Sequence, residues 1–105
     1  MPKENPDKRS KKPPRLPPEP WKPSYYELAD ASAIQAMVKG EANEDQQIRG
    51  MKWIIEAACR TYDLSYRPTS DRDTTFAEGK RSVGLEIVLL TKLDLAKLRS
   101  VENAD

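Results

Sequence analysis

The chain has 105 residues, with 18 basic and 17 acidic side chains, one cysteine and no histidine. Without histidine, Ser-His-Asp and Cys-His nucleophile arrangements and the usual zinc ligand sets are excluded; a single cysteine excludes an intrachain disulfide framework and fits a reducing compartment. Eight of the nine prolines lie in the first 23 residues, which leaves roughly 80 residues for one small domain whose modest core would gain from a partner chain.

Cutting the sequence after Pro23 exposes an asymmetry of charge. Residues 1–23 carry seven basic against three acidic side chains, and residues 24–105 carry 11 against 14. A basic arm is thus joined to a mildly acidic body. The arm, MPKENPDKRSKKPPRLPPEPWKP, has few large apolar residues, and its prolines favour an extended, polyproline-like or disordered chain. No apolar run follows the N-terminal charges and none approaches the roughly 18 residues of a membrane span, so neither a signal peptide nor a membrane helix is expected.

The body, residues 24–105, reads as a small all-α bundle of three to four helices. Ser24 and Glu27 have the spacing of a capping box; Ala31, Ile34, Met37 and Val38 then share a helical face, and Gly40 supplies a left-handed stop. Asn43 and Gln46 form a second capping box. The following pattern of Ile48, Met51, Ile55, Ala58, Cys59 and Tyr62 makes one stripe, from which Trp53 points away. DLSYRPTSDRD reads as a connection interrupted by Pro68.

Thr75 and Glu78 make a third capping box, opening a helix to about Thr91. Gly79 and Gly84 interrupt it, each at a cost of about 1 kcal/mol relative to alanine. With Phe76 at zero and about 100° per residue, Gly79, Val83, Ile87 and Leu90 form a stripe in which Gly79 is a notch for another helix, the expected neighbour being the face of Ile48, Met51, Ile55 and Cys59. Leu85 and Leu89 lie opposite, so this helix is apolar on two sides. It is either central in its own domain or shared with another chain. Asp94 caps a last short helix, DLAKLRSV, with a staple between Leu93 and Leu98. No stretch alternates with period two.

The run TTFAEGKRSVGLEIVLL, preceded by WIIEAACRTYDLSY and followed by KLDLAKL, resembles a family of small tailed-bacteriophage proteins named after a Bordetella phage gene product. The resemblance covers roughly Gly50 to Leu98, and its most specific part is Glu78-Gly79-Lys80-Arg81 followed by Val83, Leu85 and Ile87. Many members have arginine where Lys80 stands. The resemblance implies a phage origin and, through neighbouring portal, terminase and head genes, a role in virion assembly or DNA delivery. It supplies no catalytic residues.

The remaining candidates for chemistry have ordinary structural explanations. Cys59 sits on an apolar stripe and reads as a packing residue. Glu41, Glu44 and Asp45, and Asp71 and Asp73, could hold a cation, but they lie at helix starts, where negative charge complements the dipole. The set Arg72, Lys80 and Arg81 reads as a solvated face, with Glu78 and Arg81 a helix pair. Phosphate-binding glycine loops are absent.

Three readings of function follow. In the first, the chain is a non-enzymatic phage protein that acts by contact with head or portal proteins or with a second copy of itself, without cofactor or metal, in the host cytoplasm or in the virion. Trp21, Tyr25, Tyr26, Trp53, Leu85 and Leu89 would supply contacts, and Gly79, Val83 and Ile87 the helix packing. The alternative explanation of Trp53, Leu85 and Leu89 is cover by the last helix and by the Tyr25–Tyr26 segment. In the second reading, Lys8, Arg9, Lys11, Lys12 and Arg15 bind DNA phosphates without sequence preference and with a steep salt dependence. The third is an inhibitor of a host enzyme. The arm also contains SH3-ligand patterns through Lys11, Pro14 and Pro17 and through Pro17, Pro20 and Lys22, and a plain solvated tail remains a further option.

Overall fold

A computed structural model describes residues 19–103, which form helices and connections with no strand among them. The helices are α1 (Leu28–Lys39), α2 (Glu44–Lys52), α3 (Asp71–Thr91) and α4 (Leu95–Asn103), and α2 continues into a widened π-helical turn, Trp53–Ala58. The described residues are therefore all-α, as the absence of alternating stretches predicts.

The local signals in the sequence are obeyed unevenly. The Asn43–Gln46 capping box forms in both directions, at 2.8 and 3.0 Å, and Gly40 ends α1 in the left-handed conformation with φ 72°. Asp94 Oδ1 accepts from the Lys97 N–H at 3.1 Å, as a cap should. The first capping box is displaced. Glu27, not Ser24, caps α1 and pairs with Asp30, while the Ser24 hydroxyl donates to the Ala57 carbonyl at 2.8 Å. Likewise α3 begins one turn before Thr75, because Ser70 accepts from the Asp73 N–H at 3.1 Å; Thr75 and Glu78 are interior positions.

Helices α1 and α2 are joined by the short connection 40–43 and turn back on each other as an αα-hairpin. The chain entering α1 continues this antiparallel pairing, since Ser24 meets Ala57, the Trp53 indole N–H donates to the Tyr25 carbonyl at 2.9 Å, and Arg49 meets Asp30. Gly50 is buried at the crossing, where an added Cβ would strike the Met37 sulfur. The π turn is marked by the Cys59 N–H reaching the Ile54 carbonyl, five residues back, at 3.0 Å. Helix α3 packs chiefly on this turn, and α4 packs on no other helix to any substantial extent.

The face of α3 that is covered differs from the predicted stripe. Ala77 and Gly84 are buried and Lys80, Arg81, Ile87 and Val88 partly so, which places the contact line about 90° round from Phe76. Gly84 is the notch. A Cβ there would meet the side chains of Cys59 and Thr61, with the Cβ atoms of both at 2.9 Å, whereas a Cβ on Gly79 would meet nothing within 4 Å. Val83 is half exposed, and Phe76 and Leu90 also face water. Among the described residues, then, no neighbour meets the packing role expected of Gly79 and Val83.

One residue of the segment before Ser24 is held by the body. Pro20 is fully buried there and its carbonyl accepts from Lys80 Nζ at 2.9 Å, while Trp21, Lys22 and Pro23 are exposed. Pro20 is therefore not available to an SH3-type groove, and Lys80 is not an exposed position. Among the described residues, the buried apolar side chains are all small: Ala33, Ala77 and Pro20. No helix among them is long and apolar enough to cross a membrane.

Candidate interaction surfaces

A core so small leaves most large apolar side chains in contact with water, and the largest concentration is on α3 and α4. Because the contact line of α3 runs through Ala77 and Gly84, the two predicted stripes become its two exposed flanks. Phe76, Val83 and Leu90, spaced by seven residues, form one flank, and Leu85 and Leu89 the other. Leu89 and Leu90 are 60 and 66 % exposed. Helix α4 adds Leu95, Leu98 and Val101, exposed at intervals of three residues. Seven-residue spacing is the repeat with which one helix meets another across a continuous seam, and exposed apolar residues grouped in this way mark a candidate contact surface.

The second surface is a groove of about 830 Å³ between residues 22–30 and the outer side of α2 and its π turn. Ile48, Trp53 and Ala57 provide apolar lining. Around them Arg49 spans two carboxylates, Asp30 at 2.7 Å and Glu27 at 3.0 Å. Burial pushes the Asp30 carboxyl upward, but the Glu27 N–H and the Arg49 guanidinium outweigh that and hold it below the ordinary carboxylate value. The bridge fixes the start of α1 against α2 and so shapes one wall of the groove.

The residues singled out from the sequence divide between these surfaces. Tyr25 and Trp53 line the groove, where Trp53 is half-buried under the Tyr25 backbone, so this aromatic residue has the cover that Leu85 and Leu89 lack. Tyr26 is exposed, and Trp21, also exposed, has Lys22 Nζ 5.8 Å from its ring centroid. Ile87 is partly covered. Lys8, Arg9, Lys11, Lys12 and Arg15 lie outside the described residues.

The carboxylates at helix starts behave as first-turn residues, Glu44 and Asp45 in α2 and Asp71 and Asp73 in α3. Among the described residues no group of three acidic, cysteine or histidine side chains has the geometry to hold a metal ion. Arg81 pairs with Glu78 at 3.7 Å, an exposed contact of little energetic weight.

Two arginines had no distinguishing sequence signal. Arg67 is buried and donates from Nη1 to the carbonyls of Leu64, Ser65 and Tyr66 at 2.8 to 3.3 Å. Arg60 is buried and adopts a left-handed φ of 50° just after the π turn, where glycine or asparagine would have signalled a helix stop.

No protein-family model matches the chain, and neither a curated protein nor a solved structure is similar enough to count as a relative.

Proposed function

We propose that the protein is a non-enzymatic contact protein that self-associates through the exposed flanks of α3 and α4. The observation that carries this reading is the exposed apolar side chains of α3 and α4 beside a buried apolar core limited, among the described residues, to Ala33, Ala77 and Pro20. Each valine, leucine or phenylalanine side chain moved fully from water into an interface contributes about 1.5–3 kcal/mol, so several together supply what a small core does not. A second copy is the simplest occupant, because the flanks are repeated on every chain and a helix with a seven-residue repeat can meet its own kind. The multi-helix bundle expected from the sequence is then completed by two chains.

The setting we propose is a tailed bacteriophage, with the associated form docking on head or portal proteins in the host cytoplasm or in the virion. The resemblance of residues 50–98 supports this part, and mass spectrometry of purified particles tests it.

Leu89→Asp tests self-association. Leu89 is 60 % exposed, so the variant should keep its helical circular dichroism and lose the associated species in size-exclusion chromatography with light scattering. Loss of helicity at every concentration would instead make Leu89 part of the chain's own core.

A further inference from the structure

Arg60, Arg67 and Lys80 come from the end of the π turn, the following connection and the middle of α3, and they meet beneath Pro20. All three line a small, partly open cavity of about 10 Å³ that Pro20, Asp63 and Ala77 also border, and Arg60 and Asp63 border the larger groove as well. Arg67 is held by three carbonyls, and Lys80 Nζ donates to the Pro20 carbonyl. Arg60 differs. Its residue is only 7 % exposed, yet Nη1 and Nη2 are buried and have no acceptor among the described residues.

The cavity brings three cations together with one carboxylate, Asp63, which makes no ion pair with them among the described residues. Burial, then the charge of Arg67, pushes the Arg60 guanidinium down, against a smaller opposing effect of Asp63. Burial, then Arg60, does the same to the Lys80 ammonium. A water molecule would offer the Nη atoms an acceptor but would leave the charge uncompensated; buried charges need a counter-charge as well as hydrogen bonds.

We propose that this cavity is a site for a halide-sized anion, with chloride as the cellular ligand. Size disfavours larger anions, since about 10 Å³ is the room of one water molecule; chloride, somewhat larger than water, enters by outward movement of the Arg60 and Lys80 side-chain ends, whereas a tetrahedral oxyanion would have to displace the Pro20 segment. The anion accepts from Arg60 Nη1 and Nη2 and lies beside Lys80. It therefore ties the Pro20 strap to the residue 60–67 connection and to α3. The site does not depend on self-association.

The test is thermal unfolding of the full chain at fixed protein concentration and ionic strength, with potassium gluconate exchanged stepwise for potassium chloride or bromide. The melting temperature should rise saturably with either halide, as for a ligand that binds only the folded state, and the rise should disappear in Arg60→Met and in Lys80→Met. Equal melting in gluconate and chloride overturns the proposal, as does a halide response unchanged in Arg60→Met. An insensitive wild type alongside a halide-sensitive Asp63→Asn also overturns it, because Asp63 would then be the counter-charge. Should the cavity variants not fold, chloride-35 NMR of the wild-type chain decides: line broadening reversed by bromide is expected, and its absence rejects the site.

Discussion

Gly84 and Gly79 are five residues apart on α3 and have opposite surroundings. Alanine at 84 would force its Cβ into the Cys59 and Thr61 side chains, and overpacking of this kind costs about 1–3 kcal/mol; a lowered denaturation midpoint in Gly84→Ala checks it. Alanine at 79 enters open space and should stabilise the isolated chain by up to about 1 kcal/mol. Gly79 also lies near the Phe76–Val83–Leu90 flank, so Gly79→Ala should weaken self-association if two helices cross closely there, which sedimentation equilibrium measures. Asp30 offers a pH test. Its carboxyl lies below the ordinary value in the folded state, so its stabilising contribution is present above the unfolded value near 4 and is lost as pH falls through the lower folded value. The stability difference between wild type and Asp30→Asn should shrink across that acidic window. A difference independent of pH would contradict the role given to Asp30. Both glycines of α3 were visible as anomalies in the sequence. Which of them was the notch depended on where α3 meets the π turn, and that is a long-range fact.

At the scale of elements, the widened turn at Trp53–Ala58 explains much of what periodicity missed. A π turn takes more residues per revolution than an α-helix, so positions after Trp53 rotate away from the stripe begun at Ile48 and Met51. Tyr62 lies beyond the helix altogether and is 67 % exposed. The caps were legible where side chain and backbone compete only locally, as at Asn43, Gly40 and Asp94. They were not legible at Ser24, whose hydroxyl is drawn to Ala57, 33 residues away. Helix α4 has a cap but no substantial packing on another helix, which under the proposed self-association makes it the element most dependent on a second chain. Leu98→Asp should change the stability of the isolated chain by no more than about 0.5 kcal/mol, the usual range for surface substitutions, and should weaken association; urea unfolding at low concentration and light scattering at high concentration separate the two effects.

At the scale of the whole molecule, a helical hairpin, a long helix and a nearly separate last helix enclose, among the described residues, only small buried apolar side chains and present leucines on their outer faces. Such a chain should be more stable when paired, because association adds buried surface that the monomer lacks. Composition already pointed this way through the small size of the body, although the sequence does not state which helix faces which copy. The proposed contact with head or portal proteins is a separate claim, and self-association can be tested without it. The most direct measurement is thermal unfolding of the full chain followed by circular dichroism over a hundredfold range of concentration, with sedimentation equilibrium at both ends of the range. The account predicts a melting temperature that rises with concentration and a mass at high concentration that is a multiple of 11.9 kDa. A monomer throughout, with an unchanging melting temperature, would contradict it.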